Sequence, residues 1–599
     1  MSKFEYSFLE YSYLRSKIKK MTKKSSHILA NLTEVSETKL SSLKSDALFD
    51  AIILKTNFGK DQIGKHSIIS ESDSFIQTTL PLIDKCCSKL KDGGLVFIYG
   101  LPNYLSFFGE YLSDNKPDEY SYLFKYWISC EFKAEEIKGE LPNAHIGLLM
   151  YLKTKSKKNT TPFDINTKFV RLPYSDCTAC GNMTKDWGGK KHMLNPLGSA
   201  ISDVWSFNNI PIKKASKIPA ELSERILALL SEGKNVLQVN QTKAKTILSV
   251  PESPIKISTN GKSLPLEINE VLHQSCIDYL NELHQKNPHG VFDVAFADPP
   301  YNLAKNYSTY QDDLEERKYI NWCNEWLLGM YNNLKPGGAL LVLNIPKWSV
   351  YHFNFLADKM IFQNWIVWDA LSTPAGKLLP AHYSLLYFTK KGGNPKVNLG
   401  VDKLIDSREY CLRNSCVKKR KISGDDRKEL LSDVWKDIHR IKHKKDRDHH
   451  PCQLPTKLME RIIKIFSNEG DIIFDPFGGA GTTAIAAKLL NRNFVITELD
   501  KKYVDIAQRN LSKIQSDMYG TLIYERDSVF KPQINGTPRK HIEKAYMQLC
   551  FTDNKTYSKE ELKLISPLTY SLIENYSGDF NKLQAATKRK MEASLFLVE

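Results

Sequence analysis

Short apolar runs alternate with amphipathic stretches along most of the chain. The runs "FDVAFA" at 292–297, "GGALLVLNI" at 337–345 and "GDIIFD" at 470–475 have the length and composition of buried parallel strands. Between them, stretches such as "LPTKLMERIIKIFS" at 454–467 place apolar residues at helical spacing. The alternation predicts an α/β fold with open, doubly wound, Rossmann-like sheets.

The same succession of segments occurs twice. Five segments of the first half align in the same order with segments of the second half, as when "LKDGGLVFIYGLPNY" at 90–104 is laid over "LKPGGALLVLNIPKW" at 334–348. Shared propensity does not explain five collinear matches, so an internal duplication is predicted. We expect a first copy at 27–257, a second copy at 265–515 with a variable region at about 392–449, and a small, mostly helical extension at 516–599.

Composition narrows the class of protein. The chain has 599 residues, a net charge of +16 and 11 cysteines. No apolar run approaches the roughly 20 residues of a membrane span, and the start lacks the apolar core of a signal peptide. Excess positive charge is typical of proteins that bind nucleic acid, although lysine-rich proteomes also produce basic proteins. We expect a cytoplasmic, nucleoid-associated protein of a bacterium or phage, with no membrane partner.

A glycine-rich turn follows the strand "DIIFD". The segment "DPFGGAGTT" leads into a helix whose first N–H groups are free to bind a ligand. Asp475 suits the cationic end of an amino acid, and Glu498, near the end of the next strand, can accept from ribose hydroxyls. A nucleoside that carries an amino acid fits both acids, which predicts S-adenosylmethionine as cofactor. The alternative is an ordinary strand–helix turn. The cofactor-binding residues predicted here are Asp475, Pro476, Phe477, Gly478, Gly479, Gly481, Thr482, Thr483, Glu498 and Asp500.

The tetrapeptide Asp-Pro-Pro-Tyr at 298–301 ends another buried strand. Pro299 and Pro300 fix the backbone and remove two donors, which leaves a rigid corner where open α/β sheets bind ligands. The Asp298 carboxylate and the Pro299 carbonyl can both accept from the exocyclic amino group of a base, and Tyr301 offers a ring for stacking. A base inside a duplex cannot reach this corner, so it must flip out. The alternative is a turn without chemistry.

At these residues the sequence resembles the DNA amino-methyltransferases, which methylate N6 of adenine or N4 of cytosine. The family's catalytic motif looks like Asp298-Pro299-Pro300-Tyr301, and its cofactor motif looks like "DPFGGAGTT". The order of the two motifs is that of the β class, and the resemblance covers residues 290–515. The segment "HPCQLPTKLMERII" resembles the one that packs on the methionine end of the donor, and it adds Pro451, Gln453 and Pro455.

This resemblance implies a site-specific enzyme that methylates N6 of a flipped-out adenine in double-stranded DNA. Asp-Pro-Pro-Tyr usually accompanies adenine in the family, whereas a serine in place of the aspartate usually accompanies cytosine. The setting implied is a restriction-modification or epigenetic system, with a restriction endonuclease as a partner. The alternatives are a cytosine-N4 enzyme and a non-catalytic DNA-binding subunit of a modification complex.

The first copy departs from the motifs at each chemical position. Lys55-Thr56-Asn57-Phe58 stands where the second copy has Asp-Pro-Pro-Tyr, and Gln238-Val239-Asn240 stands where it has Asp-Pro-Phe. Lys55 cannot accept a hydrogen bond from an amine. We predict an inactive domain that pairs internally with the second copy. The alternative is an unrelated α/β domain.

Cysteines stand at equivalent places in the two copies. Cys177 and Cys180 form a Cys-x-x-Cys-Gly motif, and Cys411 and Cys416 lie in the second copy. Four thiolates, with His192 as a further candidate, are a possible ligand set for one structural zinc. Free buried cysteines are the alternative.

Basic segments lie in the variable region, where the family usually recognises its target. They are "KKRK" at 418–421 and "HRIKHKKDRDHH" at 439–450, and they are predicted to contact DNA. A solvated charged loop is the alternative. Lys377, His382 and Tyr383 are candidates to face the base or a phosphate, although a packed core position explains His382 better.

Overall fold

The structure is a computed structural model, which describes most of residues 30–524 and parts of 546–595. Below 525 the ranges not described are 45–46, 116–118, 156–161, 168–169, 173, 185–193, 196–197, 231–232, 250–265, 306–309, 371–376, 412, 425–426, 442–452 and 517–521. Beyond 524 the described residues are 546–547, 549–550, 553, 555–565, 570 and 580–595. The chain divides into two compact units, Met1–Arg526 and Asp527–Glu599.

Seven strands form a mixed sheet in the first copy, in the order β1-β7-β2-β3-β5-β4-β6. β5 is antiparallel to its neighbours β3 and β4, and the other pairs are parallel. The elements are β1 (Asn31–Ser36), α1 (Glu37–Leu40), β2 (Phe49–Lys55), α2 (Ser74–Ser88), β3 (Leu90–Gly100), α3 (Pro102–Glu110), β4 (Ser121–Lys133), β5 (His145–Thr154), β6 (Val204–Pro211), α4 (Ala220–Leu229) and β7 (Asn235–Asn240).

Eight strands form the sheet of the second copy, in the order β15-β11-β12-β10-β9-β16-β17-β8. Its elements, with two small ladders that follow the same order along the chain, are β8 (Glu270–His273), α5 (Cys276–Lys286), β9 (Phe292–Ala297), α6 (Glu316–Asn333), β10 (Leu334–Asn344), α7 (Pro346–Ala357), β11 (Ile361–Asp369), β12 (His382–Thr389), β13 (Leu404–Asp406), α8 (Asn414–Ser423), β14 (Lys428–Leu430), β15 (Val434–Trp435), α9 (Thr456–Phe466), β16 (Ile472–Asp475), α10 (Thr482–Leu489), β17 (Asn493–Glu498), α11 (Lys501–Ser512), β18 (Ile514–Ser516) and β19 (Leu522–Tyr524).

Strand β9 shows why the sequence folds in this way. All six of its residues are buried, and the five apolar ones divide between two apolar clusters. Ala295 and Ala297 belong to the cluster that contains α5 and α6, while Val294 and Phe296 belong to the cluster that contains α9 and α10. A strand covered by helices on both faces is mostly apolar, as read from the sequence, and its one acid, Asp293, is paired with Lys335 and Lys396. The predicted doubly wound α/β fold is confirmed.

The two sheets share an order but differ by one strand. The series β7-β2-β3-β5-β4-β6 corresponds to β16-β9-β10-β12-β11-β15. In the second sheet β17 lies between β16 and β8, whereas in the first sheet β1 pairs directly with β7. Within the described ranges, no strand of the first copy takes the place of β17. Because β17 carries Glu498, the described part of the first copy has no counterpart of the strand predicted to hold the nucleoside.

The two copies contact each other through equivalent positions. The rings of Trp127 and Trp365 stack with centroids 4.0 Å apart and planes 10° apart. On one side His145 Nδ1 lies 3.0 Å from Asp433 Oδ2, and on the other His382 Nδ1 lies 3.1 Å from Asp203 Oδ2. Each contact joins a histidine of one copy to an aspartate of the other, so the interface has approximate twofold symmetry within one chain.

The carboxyl-terminal unit has a small core of its own. Its described helices are α12 (Lys559–Ile565) and α13 (Phe580–Leu595). Tyr546, Leu562, Phe580 and Leu583 are buried together in it. The boundary falls later than the predicted residue 516, since β18 and β19 pair and β19 contacts α10. None of the helices that the structure describes is long and apolar enough to cross a membrane.

Candidate active site

A cavity of about 170 Å³ lies where β9, β16 and β17 end at their carboxyl edge. Asp298 follows β9, Asp475 ends β16 and Glu498 ends β17, and all three line the cavity. Parallel strands bring these ends to one edge of the sheet, which is where such sheets bind ligands. The two predicted motifs therefore meet in one space, although they lie far apart in the sequence.

The Asp298 carboxyl is half-buried at the cavity wall and feels the charge of a second acid, Asp475. Its Oδ1 accepts a 2.5 Å hydrogen bond from the Tyr301 hydroxyl. Burial raises the pKa of Asp298 to about 7; the hydrogen bond from Tyr301 opposes the rise, and the charge of Asp475 adds to it. The carboxylate accepts from a neutral hydroxyl, and its other oxygen can accept from an incoming amino group.

Tyr301 lies in a different environment from the one expected. Its side chain is only 5% exposed, its ring centroid lies 5.6 Å from that of Tyr383, and it does not line the cavity. Trp348 Nε1 donates a 2.8 Å hydrogen bond to its carbonyl. The expectation of an open stacking face is therefore corrected: packing encloses the ring, and the hydroxyl orients Asp298.

The glycines of the turn are required by close packing. Gly479 and Gly481 have φ of +50° and +84°, which favours glycine. A Cβ on Gly478 would lie 2.0 Å from Ile496 Cγ2 in β17, and one on Gly481 would lie 2.8 Å from Ala507 Cβ in α11. The turn thus leaves no room for side chains on the side away from the cavity.

Two further acids lie along the cavity. Asp475 accepts from Phe477 N at 2.9 Å and from Thr483 Oγ1 at 2.5 Å, and burial raises its pKa to about 7. Glu498 accepts from the backbone N of Gly479 and of Asp500, each at 2.8 Å, and burial raises its pKa as well. Each carboxylate is oriented by N–H or O–H donors and keeps lone pairs for a ligand. This arrangement suits a ligand with a cation at one end and hydroxyls at another.

Most of the predicted cofactor residues line the cavity. Gly481 and Pro455 do not; the first shapes the turn and the second precedes α9. Pro451 lies outside the described residues. Asp500 lines the cavity and caps α11, where its Oδ1 accepts from Lys502 N at 2.9 Å. The predicted residues that do line it are Asp298, Pro299, Pro300, Gln453, Asp475, Pro476, Phe477, Gly478, Gly479, Thr482, Thr483, Glu498 and Asp500.

One wall of the cavity is formed by residues that neither sequence motif marks. Gln274, Ser275 and Cys276 at the start of α5 line it, together with Trp322 and Tyr503. The Ser275 hydroxyl accepts from Asp278 N and so caps α5. A serine that caps a helix after a short strand is the sequence pattern from which this wall could have been predicted.

Asp312 also escaped notice. Its carboxylate accepts from the backbone N of Asn302, Leu303 and Lys305, and its carbonyl accepts from Ala304 N. Asn302 and Ala304 both have φ of +54°, a left-handed conformation that asparagine tolerates and that is strained for alanine. Asp312 therefore holds the loop that follows the Asp-Pro-Pro-Tyr motif in a fixed shape.

The remaining predicted residues have mixed outcomes. His382 is buried against Asp203, as the core interpretation expected, and Tyr383 packs on Tyr301. Lys377 Nζ donates to the Phe163 carbonyl of the first copy. Arg420, part of "KKRK", is only 1% exposed and pairs with Asp406, so it cannot contact DNA as expected. Residues 442–450 and His192 lie outside the described ranges.

The corner of the first copy that corresponds to the active corner is closed. Asn57 N donates to Gln241 Oε1 at 3.0 Å, and Asn57 Nδ2 donates to the Ala244 carbonyl at 2.8 Å. Thr246 N in turn donates to the Asn57 carbonyl at 3.0 Å. The chain after β7 thus packs directly on the end of β2, where the second copy has a cavity.

Sequence comparisons identify the class of protein. The family profile for N6/N4 DNA methylases matches residues 292–509. Type II methyltransferase M.BamHI of Bacillus amyloliquefaciens is 30% identical over 338 residues, which cover 55% of this chain and 76% of that protein. Type II methyltransferase M.HpaI of Haemophilus parainfluenzae is 34% identical over 224 residues, which cover 37% and 68%. DNA adenine methyltransferase YhdJ of Escherichia coli is 29% identical over 242 residues, which cover 39% and 80%.

These matches confirm the resemblance inferred from the two motifs. The family profile spans both the Asp-Pro-Pro-Tyr corner and the glycine-rich turn. The chain therefore belongs to the N6/N4 DNA methylase family and is an S-adenosylmethionine-dependent DNA methyltransferase.

Proposed function

We propose that this chain methylates N6 of an adenine that is flipped out of double-stranded DNA at a specific site, as part of a restriction-modification system. The observation that carries the proposal is the shared cavity: Asp298 and Asp475 both line it. S-adenosylmethionine supplies a methyl group on a positively charged sulfur. The protein's task is then to hold an amino nitrogen at the corner and to exclude water from it.

The corner is built to accept hydrogen bonds from an amino group. Asp298 and the Pro299 carbonyl are acceptors, and the two prolines bring no N–H that would compete. When both amino hydrogens are bound, the nitrogen lone pair is directed away from the ring and towards the methyl donor. As the new N–C bond forms and the S–C bond breaks, the nitrogen becomes positive and releases one proton. The raised pKa of Asp298, about 7, suits it to receive this proton.

Two features favour adenine over cytosine. The first is the aspartate at position 298, which usually accompanies adenine in the family that the motif resembles. The second is the relative YhdJ, which is named as a DNA adenine methyltransferase. A restriction endonuclease partner is proposed from the Type II relatives alone.

The test is to identify the modified nucleoside. DNA from cells that express the chain is hydrolysed and separated, and the same DNA is sequenced for modified positions. We expect N6-methyladenine at one short recurrent sequence, and none from cells that express Asp298→Ala. N4-methylcytosine would overturn the choice of base but not the methyl transfer. DNA without either nucleoside would overturn the proposed function.

We infer that the first copy is catalytically inactive and pairs with the second copy as one subunit of a dimer pairs with the other. Its closed corner and the absence of a β17 equivalent among its described strands support an inactive role. The reciprocal histidine–aspartate contacts and the tryptophan stack support pairing. On this view the duplication replaces a second subunit, and only one active site remains.

The approximate symmetry of the interface supplies a matched pair of variants. Asp203 accepts from Ala381 N at 2.9 Å, and Asp433 accepts from Ala144 N at 2.7 Å. We expect Asp203→Ala and Asp433→Ala each to lower the free energy of unfolding by about 1–3 kcal/mol, because buried donors lose their acceptor. Thermal and urea unfolding measure this loss.

Only Asp203→Ala should also slow methyl transfer. Asp203 faces His382 at the start of β12, and the next residue, Tyr383, packs on Tyr301. Asp433 faces His145, which begins β5 of the first copy. Equal losses of kcat in the two variants, measured well below their unfolding temperatures, would contradict the inference that the first copy supports one site only.

A further inference from the structure

Four cysteine side chains from the two copies meet at one point. The Sγ atoms of Cys177, Cys180, Cys411 and Cys416 all lie within 4.8 Å of one another. Cys177 Sγ is 3.6 Å from Cys416 Sγ, and Cys180 Sγ is 3.7 Å from Cys411 Sγ. Each of these close pairs joins one copy to the other. Three of the four side chains are buried, and that of Cys180 is partly exposed.

We propose that these four cysteines bind one structural zinc ion, which fastens the variable region of the second copy to the first copy. A zinc ion with four sulfur ligands at about 2.3 Å sets neighbouring sulfurs about 3.8 Å apart in a tetrahedron. The two close pairs, at 3.6 and 3.7 Å, agree with that spacing, and the other pairs lie within 4.8 Å. A disulfide needs about 2.05 Å between sulfurs, and an iron–sulfur cluster needs its thiolates farther apart than one ion does.

The backbone around the first two cysteines already has the form of a metal-binding turn. Gly181 has φ of +69°, and its N donates to the Cys177 carbonyl at 2.8 Å. Cys177 N donates to the Asn182 carbonyl at 2.6 Å, and Asn182 Nδ2 lies 3.6 Å from Cys180 Sγ. The turn points both sulfurs to the same side, and donors near the sulfurs stabilise the thiolate form that a metal requires.

A buried cation lies beside the four sulfurs. Zinc with four thiolates carries a net charge of −2, which is costly to bury without a counter-charge. Arg420 is 1% exposed, its Nη1 lies 4.0 Å from Cys416 Sγ, and the same atom donates to the Cys411 carbonyl at 3.3 Å. Arg420 also pairs through its Nη2 with Asp406 Oδ2 at 2.9 Å, so this buried guanidinium links that carboxylate to the four sulfurs.

Polar contacts around the cluster join the same two segments. Thr178 N donates to the Glu409 carbonyl at 3.2 Å, and Arg427 Nη2 donates to Thr178 Oγ1 at 3.0 Å. Arg413 Nη1 donates to the Met183 carbonyl at 2.6 Å. Helix α8 begins between Cys411 and Cys416, so an ion at this point would fix the start of that helix against the first copy.

The proposal is tested on the full chain by measuring its metal content. After purification with a reducing agent and passage through a chelator, we expect one zinc per chain by mass spectrometry of the elements. Replacement with Co²⁺ should give the visible absorption of a tetrahedral four-thiolate site. The double variant Cys177→Ser/Cys416→Ser, with one change in each copy, should contain none.

Two control variants separate metal binding from folding. Cys86→Ala changes a buried cysteine of α2 far from the cluster in sequence and should retain the zinc. Cys180→His replaces the most exposed ligand with another zinc ligand and should retain it as well. Binding of S-adenosylmethionine, measured on the same samples, reports separately whether the active site is intact.

Three results would overturn the proposal. The first is a chain that binds S-adenosylmethionine but contains no metal and has four titratable thiols at these positions. The second is a disulfide between Cys177 and Cys416 under reducing conditions. The third is bound iron with the absorption of an iron–sulfur cluster. Each of them would leave the proposed methyl transfer standing. Loss of zinc in the Cys86→Ala control would equally overturn the assignment of the ligands.

Discussion

Replacing Asp298 with alanine should lower the rate of methyl transfer by about 10²–10³-fold, because an acceptor aimed at developing positive charge is removed. The affinity for S-adenosylmethionine should stay nearly unchanged, since the cofactor turn is held by β16, β17 and α11. Transfer of a labelled methyl group to DNA measures the rate, and calorimetry measures cofactor binding. Asp298→Asn should be impaired as well, because it loses the charge but keeps the shape.

Asp293, which lies in β9 at the opposite end of the strand from Asp298, is the matched control. Asp293 lies near the start of the strand and accepts from Lys335 at 2.7 Å and from Lys396 at 3.0 Å. Burial alone would raise the pKa of Asp293, but hydrogen bonds from Lys335 and from Ile472 N lower it. Asp293→Asn should therefore reduce stability and spare the rate. If Asp298→Ala retained the normal rate, or if both variants lost it equally, Asp298 would have no special role in the chemistry.

Much of the candidate site could be predicted from local sequence, because its chemistry is carried by residues next to one another. The rigid corner at Pro299 and the glycine turn at Gly479 are short motifs, and their backbone conformations can be predicted from the residue types alone. The topological rule for parallel strands then brings the two motifs to one edge of the sheet. The internal repeat likewise predicted two sheets, because similar apolar strands recur in the same order.

The rest depends on contacts between distant segments, which the sequence does not show. Tyr301 looked like a stacking platform, but Tyr383 and Trp348 from later elements enclose it. Asp312 shapes the loop after the motif through contacts that no residue pattern marks. The sequence also did not show that the described strands of the first copy include no equivalent of β17, because no residue pattern marks a strand that is not there.

Asp475 is expected to govern the affinity for S-adenosylmethionine. We expect Asp475→Asn to weaken binding of S-adenosylmethionine by at least about 30-fold. The change removes the carboxylate charge from its pair with the cation of the cofactor, and such a loss in a buried pair costs about 2 kcal/mol or more. Phe477 N donates to Asp475 Oδ1 and Thr483 Oγ1 donates to Oδ2. The amide oxygen can keep Phe477 N as its donor, and the Thr483 hydroxyl can rotate to accept from the amide NH2, so the turn should keep its shape. Calorimetry on the purified chain measures the change directly.

The acid at the other end of β16 is the control for this variant. Asp471 precedes the strand and accepts from Lys396 at 2.8 Å, and it does not line the cavity. Asp471→Asn should leave cofactor affinity unchanged and lower only the stability. Equal weakening by both variants would show that the effect comes from a distorted strand rather than from a lost charge at the cavity.

The pH dependence of cofactor binding gives an independent check on the same carboxyl. Burial raises the pKa of Asp475 to about 7, so in the free protein the carboxylate is present above pH 7 and is neutralised as the pH falls. A cationic ligand binds the charged form, and affinity should therefore fall by up to about tenfold per pH unit below 7. Asp475→Asn should flatten this dependence. The pKa of Asp298 is also about 7, so the pH dependence of cofactor binding must be measured for Asp298→Asn as well. If Asp298→Asn lost this dependence and Asp475→Asn kept it, the cation of the ligand would contact Asp298 and not Asp475.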